Sequence, residues 1–231
     1  MVTVREPILH PVAILDLHPT QITVGLREVA AKRKEWRGRV DGSGHDGARV
    51  KKVAGKKKEK AQQKAAEFLG RHMIPVILGP KERPYVIDHH HLALALHDEG
   101  VKDVLTTVVA DLRRLDIEGF WFMLDCHNWM HPFDDKGRRR GYEEIPSTVE
   151  GLVDDPFRSL AGELRHLGGF AKDTTPFSEF LWADFLRRRM KRKSVEADFA
   201  AALEAALELA KSHAADYLPG WCGASARVDA P

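Results

Sequence analysis

The chain has 231 residues, 43% of them hydrophobic and 30% charged, which is enough for one full domain with a sizeable core, or a small domain plus an extension, and excludes global disorder. Its longest apolar stretches, such as Ile74–Leu78, are far too short to span a bilayer, and the N-terminal MVTVREPILHPV lacks the basic-then-apolar build of a secretory leader, so no membrane partner and a cytoplasmic location are expected. Cys126 and Cys222 stand apart from any C-x-x-C pairing and are expected as ordinary reduced thiols, while the formal net charge of +2 hides a basic run over residues 32–60, where twelve Lys or Arg stand against four acids.

Residues 12–17 have the hydrophobicity of a short strand, which His18-Pro19-Thr20-Gln21 ends because Pro disfavours helix at the residue before it. Thr20 is expected to cap a helix over about residues 22–36. Gln21, at its start, either offers its amide to a nucleotide phosphate or caps the chain. Glu28 and Lys32, one turn apart, read as a general base and a phosphate clamp, or as a plain i,i+4 surface pair. Residues 38–47 carry four glycines and read as a lid or a linker. Residues 56–71 are rich in helix formers, with Ala61, Ala65, Phe68 and Leu69 on one side.

Residues 74–80 read as a strand ending in a turn, and residues 85–88 as its hairpin partner across Lys81-Glu82-Arg83. The stretch VIDHHHLALAL follows, with Leu92, Ala95 and Leu96 at helical spacing as far as Gly100. Residues 104–112 are β-branched and read as another strand. Beyond about residue 115 the composition changes. An aromatic run at residues 120–124 and a charged loop at residues 134–142 precede helices expected over residues 155–166, 176–193 and 194–217. The layout expected is α+β: an N-terminal domain over residues 1–115 and a mainly helical C-terminal part over residues 116–231 packed on it.

A strand that turns directly into a helix presents unpaired backbone N–H groups together with the positive end of the helix dipole, a ready anion site. Asp88, His89, His90 and His91 occupy that place. The histidines are expected to bind phosphate oxygens, and Asp88 to hold an imidazole tautomer, a ribose hydroxyl or a divalent cation such as Mg²⁺. Neighbours on a helix point about 100° apart, so at most two of the three histidines share one ligand. The H-x-x-x-H spacing of a zinc site is absent here. It occurs instead at His127 and His131, near Asp125, where a metal pair or a loop packed on the core would both account for it. Glu179, flanked by Phe177, Phe180 and Trp182, is expected either to be partly buried with a raised pKa, as a base, or to face outward from an amphipathic helix. A second basic cluster at residues 187–193 reads as a phosphate binder or a solvated helix face.

The turn resembles the signature of the ParB/sulfiredoxin superfamily, in which a D-G-x-H-R-x-x-A-L-type motif joins a strand to a helix. Asp88, His91 and Ala95-Leu96 match it, whereas His89 stands for the usual Gly, Leu92 for the usual Arg, and His90 occupies the place of the catalytic Cys of sulfiredoxin. The similarity is closer to the putative ParB-like nuclease family, through the Asp-His-His-His run, Ile74-Pro75-Val76, Pro19-Thr20-Gln21, Val24-Gly25 and the segment from Phe177 to Ala183, and it runs from about residue 10 to about residue 190. The resemblance implies a compact ParB/sulfiredoxin-like α+β domain whose signature turn binds phosphate, usually of a nucleotide. It also implies phosphoryl transfer or phosphodiester hydrolysis, with nucleic acid as an alternative partner of a non-catalytic binding module. On this reading Asp88, His91, Glu28 and Glu179 are the catalytic candidates. Phosphate would be bound by His89, His90, His91, Lys32 and Gln21, and a metal by Asp88.

Overall fold

The computed structural model describes residues 9–40 and 54–224. The loop expected at residues 38–47 lies outside the described residues beyond residue 40, as does the part of the basic run at residues 41–53. Strand β1 (Leu9–Ala13) leads into a 3-10 turn (Ile14–Asp16). The strand expected over residues 12–17 is therefore cut at Ala13. Ile14 and Leu17 are buried while Leu15 and Asp16 are exposed, a three-residue period that suits a 3-10 turn rather than a pleat. Next come β2 (His18–Pro19), β3 (Thr23–Val24) and α1 (Leu26–Val40). This helix begins later than its apolar spacing suggests, because Thr23 and Val24 are taken into a strand. The Leu26 N–H is met by Asp154 Oδ1 at 2.9 Å, and the Thr20 hydroxyl donates instead to the Val86 carbonyl at 2.7 Å.

The chain continues through α2 (Ala54–Arg71), β4 (Ile74–Leu78), a 3-10 turn (Pro80–Glu82), β5 (Pro84–Val86), α3 (His90–Asp98), β6 (Asp103–Asp111) and α4 (Ile117–Cys126). Then follow β7 (Val153–Asp154), α5 (Pro156–His166), α6 (Ser178–Arg187), α7 (Arg192–Ala197) and α8 (Phe199–Ala210). The two long helices expected over residues 176–217 are thus three shorter ones. Lys191 (φ −84°, ψ 130°) and Asp198 (φ −143°, ψ 92°) are extended, and Asp198 Oδ1 accepts from the Ala201 N–H at 3.0 Å to cap α8. No helix among the described residues is long and apolar enough to cross a membrane.

The chain is α+β and divides into two compact units. The first comprises the described residues of Met1–Ile22, Val29–Pro132 and Gly141–Leu152. It is built on a mixed sheet of order β1-β6-β4-β5-β2. The β4–β5 pair is the antiparallel hairpin expected, while β4–β6 and β5–β2 are parallel. Val76 pairs with Val108 and Ile77 with Ala110, so Val109 is the extra residue of a bulge and stands half-exposed. Ile77, Tyr85, Phe120, Trp121 and Leu124 form one core, in which the Tyr85 and Phe120 rings lie 4.4 Å apart. Gly79 is required there, since a Cβ would stand 2.5 Å from the Tyr85 ring.

The second unit comprises Thr23–Glu28, Phe133–Arg140 and the described residues of Val153–Pro231. Here β3 and β7 pair in parallel, and α5 to α8 enclose Phe157, Leu160, Leu164, Trp182, Phe185 and Leu186. Trp182 stacks on Phe170 at 4.3 Å and donates its indole N–H to the Pro219 carbonyl at 2.8 Å.

Candidate functional site

At the end of β5 the chain turns into α3 through Ile87, Asp88 and His89. His89 takes the left-handed conformation (φ 66°, ψ 24°), a region that costs a non-glycine residue about 1–2 kcal/mol. Asp88 Oδ1 accepts from the His89 N–H at 2.7 Å and holds the bend. The first helical hydrogen bond runs from the Ala93 N–H to the His89 carbonyl at 2.9 Å. The N–H groups of His90 and Leu92 therefore have no acceptor within the helix and, with that of His91, stand at its positive end. All residues from His90 to Leu96 are buried, whereas Asp88 and His89 are exposed. A buried helix cannot shift without opening the core, so these amides are fixed in place.

The three rings go different ways. His89 is exposed. His90 is 3% exposed, and its Nε2 accepts from the Thr20 N–H at 3.2 Å. Its ring also hydrogen-bonds the Val86 carbonyl. Burial, followed by the neighbouring His91, pushes its pKa from 6.5 to about 3, against an opposing pull from Asp88; His89 adds to the lowering. His90 is neutral, and the hydrogen-bond pattern assigns its proton to Nδ1. His91 is also buried. Gln21 is buried and bridges His131 in parallel register, and the His131 N–H donates to the Thr20 carbonyl at 2.8 Å. Lys32 pairs with Glu35 at 3.3 Å.

In the second unit, Glu28 and Glu179 meet on one guanidinium. Arg158, 6% exposed, lies 3.2 Å from Glu28 through Nη1 and contacts Glu179 through Nη2. Arg165 Nε reaches the other Glu179 oxygen at 2.6 Å. Phe180 flanks Arg158, its ring centroid 5.2 Å from the guanidinium carbon. Beside this group, Asp155 is 1% exposed, accepts from the Phe157 N–H at 3.0 Å and pairs with Arg187. Burial raises the Asp155 pKa, with Arg187 opposing. Neither Arg158 nor Arg165 stood out in the sequence. The available signal was their seven-residue spacing on α5, which places them on one side of a helix whose other positions include Phe157, Leu160, Ala161 and Leu164.

His127 caps the C-terminus of α4 and stacks on Trp129 at 4.4 Å. The helix ends before His131, so the four-residue spacing does not place the two rings one helical turn apart. No three His, Cys, Asp or Glu side chains among the described residues are grouped so as to hold a metal ion.

A family model described as "Putative ParB-like nuclease" matches residues 10–188. Among solved structures, the crystal structure of protein Atu1540 from Agrobacterium tumefaciens is similar, with 49% identity and a TM-score of 0.80 over 95% of this chain and 99% of that chain. No curated protein matches the chain.

Proposed function

Because the chain belongs to the putative ParB-like nuclease family, we propose that it is a phosphate-handling enzyme whose ligand is a nucleotide or another phosphate ester, bound at the turn from Asp88 to Leu92. The observation that carries this reading is the fixed row of N–H groups at the start of α3, ordered by the left-handed His89 and the Asp88 clamp. Phosphoryl transfer and phosphodiester hydrolysis both depend mainly on positioning and on neutralising charge on phosphoryl oxygens, and preorganised amides supply that without reorganisation. In this scheme the exposed His89 adds a donor to the phosphate. The neutral His90 anchors the turn to Thr20, and His91 stiffens the first helical turn. Gln21 lies next to Thr20, the partner of His90, and bridges His131, while Lys32 is paired with Glu35 on its own helix. Glu28 and Glu179 serve to hold Arg158.

Asp88 is a single carboxylate, which suits a Mg²⁺ shared between it and the phosphates of a bound polyphosphate. The test is a thermal-stability screen of nucleoside di- and triphosphates, with and without Mg²⁺. A ligand at a hundred times its Kd stabilises the native state by about 2.7 kcal/mol. The expected result is a shift that an Asp88→Ala, His91→Ala double variant loses while remaining folded; if no nucleotide or polyphosphate shifts the transition, the proposal is refuted.

The net positive charge of residues 32–60 favours a second reading, a non-catalytic nucleic-acid-binding module. In the described part of that run, Arg33 and Arg37 are tied to Glu99, while Lys34 and Arg39 are exposed. DNA affinity that falls steeply with salt and is unchanged in the same double variant supports this alternative.

A further inference from the structure

A cleft of about 730 Å³ opens at the other end of β5 from Asp88, within the first unit. Its volume falls in the range of pockets that enclose small organic ligands. Val12, Leu78 and Val108, from three adjacent strands, contribute half-buried apolar surface to its lining. The 3-10 turn after β1 adds Leu15, which is 54% exposed.

Charge enters from the hairpin. Lys81, Arg83 and Arg113 line the cleft together with Asp16 and Glu82, one cation in excess. Arg113 is committed, through Nη2 to Asp111 at 2.8 Å and through Nη1 to Glu82 at 3.4 Å. Neither Lys81 nor Arg83 has a carboxylate partner among the described residues. Arg83 instead hydrogen-bonds the Tyr85 side chain. His18, also in the lining, has its pKa lowered by burial first and by Arg83 second, with a hydrogen bond to the Ser147 backbone opposing.

The backbone gives a second indication. Lys81 (φ 61°) and Glu82 (φ 60°) are consecutive left-handed residues in a turn that asparagine or glycine would make without strain. The hairpin itself calls for this type I′ geometry, which the Arg83 N–H closes on the Pro80 carbonyl at 3.5 Å. Here it sets the charged Lys81 and Glu82 side chains, rather than glycine, at the edge of an apolar cleft.

We propose that this cleft binds a small, singly charged organic oxyanion with an apolar body, its charged group on Arg83 and Lys81 and its body against Val12, Leu78 and Val108. A single charge matches the one cation in excess. The guanidinium fork suits a carboxylate or another planar oxyanion. The site is separate from the signature turn, so either can fail without the other.

The test uses 1-naphthylacetate as probe, with the neutral 1-naphthylacetamide as its control, in equilibrium titrations on the full chain. The acid is expected to bind at one saturable site, the amide about tenfold more weakly, and a Lys81→Gln, Arg83→Gln double variant to bind the acid about tenfold more weakly than the wild type. Amide chemical-shift changes in the wild type on adding the acid provide a readout that does not depend on the variant folding. They are expected at Val12, Leu78, Thr106 and Val108. Equal binding of acid and amide, no saturable binding of either, or shift changes confined to residues 88–92 would each overturn the proposal.

Discussion

Replacing His90 by glutamine tests whether the inward histidine is a neutral anchor of the signature turn. In the folded chain burial holds its pKa at about 3, against 6.5 for a free imidazole. Between those values the unfolded chain carries a proton on residue 90 that the folded chain refuses, so stability is lost as pH falls from about 6.5 towards 3. At 1.36 kcal/mol per unit, the loss is about 2 kcal/mol at pH 5 and has a ceiling of about 5 kcal/mol at pH 3. Glutamine can accept from the Thr20 N–H and donate to the Val86 carbonyl, the two contacts made by the ring, but it does not titrate. The His90→Gln variant is therefore expected to be less stable than the wild type at pH 7.5 by about 1–2 kcal/mol, for lost packing and poorer hydrogen bonds. Urea unfolding at pH 7.5, 6 and 5 then measures the gap, in which titrations common to both proteins cancel. The gap should close by about 2 kcal/mol by pH 5. A gap that stays constant over this range would show that His90 is not held neutral by burial, and the account of the turn would be wrong.

Three further outcomes follow from the packing. His89→Gly should raise the unfolding free energy by up to about 1 kcal/mol, because relief of left-handed strain outweighs the added freedom of the unfolded chain; a loss in chemical denaturation would mean that the His89 side chain makes a stabilising contact. Arg158→Met should destabilise the fold by about 3–5 kcal/mol, since it strips Glu28 and Glu179 of their shared partner in a half-buried setting. A thermal-unfolding change equivalent to less than about 1 kcal/mol would show that solvent already carries those charges. Asp198→Ala should cost about 1 kcal/mol and speed hydrogen exchange at the first turn of α8, where the carboxylate now receives the Ala201 N–H.

What the sequence discloses about this fold is mostly local. The β4–β5 hairpin, the strand over residues 103–111 and the stop of α3 before Gly100 (φ 73°) follow from runs, turn residues and a glycine that are neighbours along the chain. The parallel pairing of β4 with β6, and of β5 with the two-residue β2, is not readable in this way, because no short-range pattern selects a partner strand. In the helical region an Ala- and Leu-rich composition suggested a single long helix, and it obscured Asp198, whose side chain competes for the backbone and starts α8 afresh. The same division applies to the candidate site. The strand-to-helix position of Asp88 to His91 is local and was legible. The Thr20 partner of His90, however, lies seventy residues away, and Arg158 is as far from Glu28 as α5 is from the start of α1, so only the folded chain brings them together.

The local geometry of the turn also bears on the kind of phosphate compound it would take. Burial of α3 from its first residue forces the His90 ring inward, and the left-handed step at His89 is the bend by which the chain enters that helix. The bend aims the Asp88 carboxylate at the His89 N–H, which it fills at 2.7 Å. An exposed carboxylate beside the first amides of α3 repels a bare phosphate that approaches symmetrically. It favours a ligand that turns its phosphate oxygens to the amides and a hydroxyl to Asp88. A nucleotide carries a ribose hydroxyl set apart from its phosphate, whereas the P–OH of inorganic phosphate is on the same phosphorus that the amides would hold. Under the proposed function, an acid beside the anion site therefore favours nucleotides over free phosphate.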